Sequence, residues 1–433
     1  MFKKTTSESG LRIISIPLKN TRAITILLLV GTGSKYETKE INGISHLLEH
    51  MAFKGTKRRP QALDIAKELD RVGGFFNAFT GKEDMGFWIK VDARHFDLAC
   101  DILSDMIFNS LFESKEIKKE KKVIFEEINM MKDSPQGYVL DLWERLLYGD
   151  QPAGWMISGE KETVARISRK NILDYFKAHF AAKNVVIAVA GNFQEKEIMP
   201  KIRRFFEKFR KTKPPPRKPA TELQKSPQVL VNLKETDQTH LCLGVRSYNL
   251  FSPKRYSLAV LAGILGGIMS SRLFIEVRER RGLAYYIRTF PEFYTDTGYL
   301  VTHAGIDNKR VPEAIKIILR EYQRMSTKKV SKAELNKVKD NIMGRLDLSL
   351  ETSDAWASYT GSQELLQGKI LTPAREREMI EKVTQNDILK VAKEIFQPSK
   401  LNLALIGPFK DKKPFVGLLK ICPARQLRYP QSR

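Results

Sequence analysis

Cysteine is scarce in this sequence, and its few copies stand far apart. Cys100, Cys242 and Cys422 are the three cysteines in 433 residues, and no Cys-x-x-Cys pair occurs. An odd number of widely spaced cysteines argues against a disulfide framework and against a zinc site held by cysteine. Such usage is typical of proteins that fold in a reducing compartment.

Long apolar runs are missing as well. No stretch reaches the roughly 18 consecutive apolar residues that indicate a membrane-spanning helix, so we predict no membrane span. Residues 1–17 include Lys3 and Lys4 but lack the continuous apolar segment of a secretory signal peptide. We therefore expect a cytoplasmic protein.

Acidic residues are outnumbered by basic ones. Asp and Glu total 50 against 74 Lys and Arg, which gives a formal net charge of +24. This balance leaves nucleic acids, membrane surfaces and acidic substrates open as partners. A nucleic-acid module, however, interleaves clustered basic residues with aromatic ones. The basic runs at 118–122 and 278–281 show no such module, so we interpret them as solvated faces and predict no specific nucleic-acid binding.

Prolines cluster near the middle of the chain, in the segment KTKPPPRKP at residues 211–219. Three consecutive prolines favour an extended linker. The length predicts two to four domains, and a central linker suggests a duplication. Each half has an early β-rich run, at 23–31 and 239–245, and a late strand that ends at a glycine. These glycines, Gly191 and Gly407, stand 216 positions apart.

An α+β or α/β unit used twice follows from this repetition. We predict an N-terminal domain over 1–210, the linker over 211–219, and a C-terminal domain over 220–433. At 42% apolar and 29% charged residues, the composition is that of a globular protein with a packed core.

The stretch His46-Leu47-Leu48-Glu49-His50 is the most informative one. Apolar residues recur around it at helical spacing, and histidines at i and i+4 share one face of a helix. Two imidazoles can then converge on one metal ion, and Glu49 can reach a water bound to it. A chance pair on an ordinary helix is the alternative, but only six histidines occur in the chain. The presence of Glu49 between the two histidines therefore favours a metal site over a chance pair.

Catalytic zinc commonly has three protein ligands, so one more is needed. The segment SKEIKKEKKVIFEEINMM at 114–131 has a helical pattern and many carboxylates. Glu120 and Glu127 are two turns apart and share a face, whereas Glu126 points about 100° away. Pattern alone leaves every carboxylate of this helix open as the ligand or as a solvated side chain.

The order His-x-x-Glu-His inverts His-Glu-x-x-His, and this inversion marks the inverzincins. The sequence resembles the pitrilysin and insulinase type of zinc metallopeptidase, and especially the mitochondrial processing peptidase-like two-domain proteases of bacteria. The stretch HMAFKGTKRRP after the box supports the resemblance. It implies that His46, His50 and Glu127 hold Zn²⁺, one ion per chain. It also implies that Glu49 is the general base, and that Glu120 supports the ligands from outside.

Two further segments carry the resemblance and imply residues that bind substrate. In GGFFNAFTGKED, Asn77 and Ala78 would lie on an edge strand that pairs with the substrate backbone. In MSSRLFIEVRERRGLAY, Arg278 and Tyr285 would reach the substrate and the developing oxyanion from the second half. Relatives often have Thr and Tyr where this chain has Met85 and Phe87, a departure that concerns substrate preference.

The duplication offset places Ala262, Leu265 and Gly266 where the first half has its metal box, and none of these can bind metal. The resemblance extends to about Phe409. It implies two related domains, each a mostly antiparallel sheet flanked by helices, which together form half of a clamshell chamber. It also implies a dimer with a second copy or with a related subunit.

Three hypotheses follow for the function. The first is a zinc-dependent endopeptidase that hydrolyses peptides or unstructured polypeptide segments by attack of a metal-activated water. The second is a non-catalytic structural or partner subunit of a related peptidase complex, although such subunits typically lose residues of the metal box. The third is a basic nucleic-acid or membrane-surface binder, which would show a salt-sensitive affinity.

Overall fold

The computed structural model describes residues 2–420, and Cys422 lies outside this range. The chain forms two compact units, each with its own sheet. The first unit comprises residues 2–130, 151–219 and 347–371. The second unit comprises 131–150, 220–346 and 372–420.

The sheet of the first unit has six strands, which are β1 (Lys3–Thr6), β2 (Arg12–Pro17), β3 (Ala23–Val30), β4 (Phe75–Thr80), β5 (Met85–Asp92) and β6 (Val185–Gly191). Their order is β1-β2-β6-β3-β5-β4, and every pair is antiparallel except β2 with β6. Strands β3 and β6 are apolar and almost wholly buried. Both faces of the sheet centre are therefore covered.

The helices of the first half are α1 (Ile44–Ala52), α2 (Ala62–Asp70), α3 (Phe96–Phe108), α4 (Ser114–Asp133), α5 (Pro135–Tyr148), α6 (Lys161–Arg166), α7 (Arg169–His179) and α8 (Glu195–Phe206). Helix α4 crosses from the first unit into the second near residue 130. Helices α1 and α3 pack on one face of the six-stranded sheet and form the main core of the first unit.

The sheet of the second unit has five strands, which are β7 (Gln228–Leu233), β8 (Gln238–Arg246), β9 (Ala284–Phe293), β10 (Gly298–Asp307) and β11 (Leu401–Gly407). Their order is β7-β11-β8-β10-β9, with β7 and β11 parallel and the other pairs antiparallel. Leaving β1 aside, this order repeats that of the first sheet strand for strand. The structure thus confirms two α+β domains with mostly antiparallel sheets.

The helices of the second half are α9 (Arg255–Ala262), α10 (Val311–Thr327), α11 (Lys332–Ser349), α12 (Ser353–Gln367), α13 (Pro373–Glu381), α14 (Gln385–Ile395) and α15 (Lys413–Val416). Two π-helical segments, Gly263–Gly267 and Phe274–Glu279, follow α9. Helices α9 and α10 pack against the sheet, and α14 packs on these two helices, in the main core of the second unit.

Each unit contains one helix that comes from the other half of the chain. Helix α5 packs on β8 and β11 of the second unit, and α12 packs on β3 and β6 of the first. The hydroxyls of Ser353 and Thr25 are hydrogen-bonded at 2.8 Å, and Lys90 pairs with Asp354. The compact units therefore differ from the contiguous ranges 1–210 and 220–433 in two segments. An amphipathic helix pattern shows that a sheet face will be covered, but not which sheet.

Within residues 2–420, no helix has both the length and the apolar character needed to cross a bilayer. Cys100 and Cys242 are buried and form no disulfide. Burial raises the pKa of both thiols, which keeps them in the unreactive neutral form.

Candidate metal centre

Helix α1 separates its apolar residues from its titratable ones. The apolar stripe, which is buried in the core of the first unit, consists of Ile44, Leu47, Leu48 and Met51. This burial orients the helix and leaves His46, Glu49 and His50 together on a half-buried face. The spacing of the sequence thus produces the face that metal chemistry needs.

Helix α4 supplies the carboxylates that face this site. Ile117, Ile124 and Ile128 are buried and anchor it to the core. Glu120 is only 5% exposed, whereas the side chain of Glu127 is 38% exposed. Glu126 instead accepts a hydrogen bond from Asn129 on the same helix.

The two imidazoles of α1 point their Nε2 atoms at one carboxylate. Nε2 of His46 and Nε2 of His50 each lie 3.6 Å from Oε2 of Glu127. These separations are too long for hydrogen bonds. One ligand atom from each of the three residues lies within 4.8 Å of the other two, and within residues 2–420 no other such group of His, Cys, Asp or Glu is found.

Zinc fits this donor set. Zinc–nitrogen and zinc–oxygen bonds of about 2.0–2.2 Å in a tetrahedral arrangement place ligand atoms about 3.3 Å apart. The observed 3.6 Å separations are close to that spacing. Two neutral imidazoles, one carboxylate and an open fourth position form a common catalytic zinc set.

The pKa of His46 agrees with metal binding, whereas that of His50 is shifted the other way. Burial and the neighbouring His50 lower the pKa of His46 to about 4, so His46 is neutral at pH 7 and can donate a lone pair. Burial also acts to lower the pKa of His50. The hydrogen bond with Glu120 and the charges of Glu127 and Glu49 outweigh burial and leave that pKa raised.

Glu120 holds His50 from the side away from Glu127. Its Oε2 lies 3.1 Å from Nδ1 of His50, and its Oε1 lies 2.8 Å from Nζ of Lys54. Burial opposes ionisation of Glu120, but the hydrogen bonds from His50 and Lys54 outweigh burial and lower its pKa. An ionised carboxylate here fixes the His50 tautomer in which Nδ1 carries the proton and Nε2 is free for metal.

Glu49 has a partner that the sequence pattern does not indicate. Oγ1 of Thr80, the last residue of β4, donates a hydrogen bond to Oε2 of Glu49. Burial raises the pKa of Glu49, and the bond from Thr80 and the charge of His50 partly oppose this. Thr80 lies close to Asn77 and Ala78 in the sequence. Its distance along the chain from Glu49 gives no sign, however, that the two side chains are in contact.

The other residues predicted from the resemblance lie on two different units. Asn77 and Ala78 lie on β4, which is an edge strand of the first sheet and pairs with β5. Arg278 lies in a π-helical segment of the second unit, with its guanidinium 4.8 Å above the ring of Phe274. Tyr285 lies on β9 and is 76% exposed. Their roles toward substrate stay predictions.

The described part of the second unit has no equivalent of the metal box. Ala262 ends helix α9, and Leu265 and Gly266 belong to the π-helical segment that follows. All three are buried. A Cβ on Gly266 would lie 2.3 Å from Oγ1 of Thr289, so this position is filled by packing.

Two family models match the chain. The model described as insulinase, peptidase family M16, matches residues 12–160, which include the metal box and Glu127. The model described as the peptidase M16 inactive domain matches residues 166–342.

Curated relatives match nearly the whole chain. The uncharacterized zinc protease YmxG of Bacillus subtilis (strain 168) is 37% identical, over 94% of this chain and 98% of the relative. An uncharacterized zinc protease of Streptomyces coelicolor is 33% identical, over 95% of this chain and 90% of the relative. Zinc is thus supported at the level of the family.

Solved structures share the fold. A protease from Helicobacter pylori has a TM-score of 0.87 at 22% identity, with 94% of this chain and 99% of that chain covered. The peptidase M16 inactive domain from Pseudomonas fluorescens has a TM-score of 0.84 at 16% identity, with 94% and 98% covered. Given the relatives above 30% identity over almost its full length, the chain belongs to the insulinase family of peptidases, M16.

Proposed function

We propose that this protein is a zinc-dependent endopeptidase that hydrolyses peptides or unstructured polypeptide segments. The observation that carries the proposal is the convergence of His46, His50 and Glu127 within 4.8 Å, with the carboxylate of Glu49 on the same helix face. A bound zinc ion lowers the pKa of coordinated water toward about 7 and polarises a substrate carbonyl.

The protein side chains have separate roles in this proposal. Glu49 accepts a proton from the attacking water and passes it to the leaving amine. Thr80 holds the Glu49 carboxylate through its hydroxyl, so that one oxygen stays free for the water. Glu120 keeps the Nε2 lone pair of His50 directed at the metal.

The free edge of β4 is our candidate for binding the substrate backbone. The N–H of Ala78 donates to Oδ1 of Asn77 at 2.8 Å, and a substrate carbonyl can replace this acceptor. Strand addition of this kind favours extended, unfolded segments.

We propose Arg278 and Tyr285 as further donors to the substrate carbonyl and its developing oxyanion. We also propose a dimer with a second copy or a related subunit, to be measured by sedimentation.

The test is cleavage of a quenched-fluorescent peptide pool alongside metal analysis of each variant. We expect wild-type protein to cleave, Glu49→Gln to keep zinc and lose turnover, and Glu127→Gln to lose zinc. Glu126→Gln is the matched control for Glu127→Gln, because Glu126 is the adjacent carboxylate of α4 and faces Asn129. Retained turnover in Glu49→Gln would contradict the role of Glu49. Bound zinc without any cleavage would instead favour the non-catalytic subunit.

A further inference from the structure

Helix α1 has no side chain of its own to cap its first turn. Its N-cap residue is Gly43, which has φ of 95° and carries no capping atom. A Cβ at this position would lie 2.6 Å from the carbonyl oxygen of Ser158, so a capping serine or aspartate cannot stand there. The first N–H groups of the helix therefore need acceptors from elsewhere in the chain.

The carboxylate of Glu37 supplies these acceptors. Its Oε2 accepts hydrogen bonds from the backbone N–H of Gly43 at 2.8 Å and from Nδ2 of Asn42 at 2.9 Å. Its Oε1 accepts from the N–H of Ser45 at 2.8 Å. Ser45 is the second residue of the helix, which an N-cap side chain normally reaches. Glu37 thus caps α1 from outside the helix.

Glu37 is 4% exposed, and within residues 2–420 no basic side chain forms an ion pair with it. A buried carboxylate without a cationic partner is costly unless N–H donors satisfy it. Burial raises the pKa of Glu37, and the hydrogen bonds from Ser45, Gly43 and Asn42 act against this rise. The hydrogen bonds of the Glu37 carboxyl group are therefore made at the N-terminus of α1.

The side chain of Ser45 is held as well. Its hydroxyl lies 2.9 Å from the hydroxyl of Tyr175 on α7, which lies 2.7 Å from Oγ1 of Thr32. The backbone N–H and the side chain of Ser45 are thus both fixed, by Glu37 and by Tyr175. The residue that follows in the chain is His46.

His46 and His50 differ in how their imidazoles are supported. Nδ1 of His50 is held by Glu120, whereas Nδ1 of His46 is buried and has no hydrogen-bond partner in the described part of the chain. The orientation of the His46 imidazole toward Glu127 therefore depends on the backbone of the first turn of α1. That turn is what Glu37 and Tyr175 hold.

We propose that Glu37 is a positioning residue for the metal site, which preorganises His46 by capping α1 from outside the helix. The inference rests on the proposed function, because it assumes that His46 binds zinc. Changing Glu37 to glutamine replaces one acceptor oxygen with an NH₂ group that opposes the N–H of Gly43 or Ser45. The first turn of α1 then shifts, and the Nε2 atom of His46 no longer points toward Glu127.

The test compares Glu37→Gln with Glu364→Gln in metal-stripped protein. Glu364 is an equally buried carboxylate of the first unit, which lies on α12 and pairs with Lys4 and Arg12. We expect Glu37→Gln to weaken zinc binding at least about tenfold, as removal of an outer-shell partner does. We also expect it to change the visible absorption spectrum of the Co²⁺-loaded protein. Glu364→Gln should leave zinc affinity and spectrum unchanged, even where its melting temperature falls.

Equal zinc affinity and an unchanged Co²⁺ spectrum in Glu37→Gln would overturn the inference, and so would an equal loss in Glu364→Gln. If Glu37→Gln does not fold, Glu37→Asp keeps the carboxyl group but shortens its reach. It should bind zinc with intermediate affinity, and wild-type affinity would overturn the inference. A wild-type protein that binds neither metal overturns both proposals, whereas bound zinc without peptide cleavage overturns only the proposed function.

Discussion

At the scale of single residues, the site depends on side chains that touch the ligands rather than on the ligands alone. Glu120 holds Nδ1 of His50, and Thr80 holds Glu49. Helical spacing is enough to predict that Glu120 shares a face with Glu127. Thr80 could not be found in this way, because its contact with α1 is made through the packing of a strand against a helix.

Replacing Glu120 should weaken zinc binding without removing a ligand. We expect Glu120→Gln to raise the zinc dissociation constant about 10–100-fold, because the amide carries no charge to stabilise the His50 tautomer that binds metal. Competition against a chelator measures this constant. Glu116→Gln is the control, since Glu116 lies one turn earlier on α4 and pairs with Lys119 on the same helix. Equal affinities of Glu120→Gln and wild type would contradict this role.

Removing the Thr80 hydroxyl should affect turnover and leave the metal in place. Valine has nearly the same shape, so Thr80→Val frees the Glu49 carboxylate while the packing of β4 is kept. We expect kcat to fall about tenfold or more, within the usual contribution of general-base catalysis, with zinc content and KM unchanged. Steady-state kinetics with metal analysis checks this. A rise in KM at constant kcat would indicate that Thr80 contacts substrate instead.

At the scale of elements, helix α1 is the part of the fold that the sequence predicts best. Its apolar stripe and flanking glycines indicate a helix between Gly43 and Gly55, and the structure has Ile44–Ala52. The 3.6-residue period is a local property, so it can be seen without tertiary contacts. The cap from Glu37 is not local to the helix, and the sequence does not indicate it.

The left-handed conformation of Gly43 gives a stability prediction for this element. Gly43→Ala should destabilise the protein by about 1–2 kcal/mol or more, because φ is 95° and the new Cβ would meet Ser158. The matched control is Gly344→Ala on α11, where a Cβ meets no atom within 4 Å. That change should stabilise by about 0.5–1 kcal/mol. Denaturant unfolding measures both, and effects of equal sign would contradict the argument.

At the scale of the whole molecule, the exchange of α5 and α12 makes each unit depend on the other half of the chain. The face of the first sheet that α12 covers is formed by the buried residues Ile14, Ile16, Leu27, Leu29, Val186, Ala188 and Ala190. Without α12 this apolar face is exposed to water, at a cost of about 25 cal/mol per Å².

A fragment of residues 1–219 should therefore fail to fold alone, although it contains every predicted metal ligand. We expect it to aggregate or to melt without cooperativity. Co-expression with residues 220–433 should restore soluble protein and zinc binding. Circular dichroism and metal analysis distinguish these states. A fragment that melts cooperatively and binds zinc as the full chain does would show that α12 is dispensable.

Features that depend on short-range spacing can be predicted from the amino-acid sequence. These are the two-fold repeat, the helical face with His46, Glu49 and His50, and the shared face of Glu120 and Glu127. Spacing alone left the carboxylates of α4 open, and the resemblance implied Glu127, which the fold places beside both histidines. Which helix covers which sheet, and which side chain caps α1, could be seen only in the folded chain. Helix and strand periods are set within a few residues of the chain. Contacts between distant segments depend on how the shapes of their apolar surfaces fit together, and this fit cannot be seen in a local repeat of the sequence.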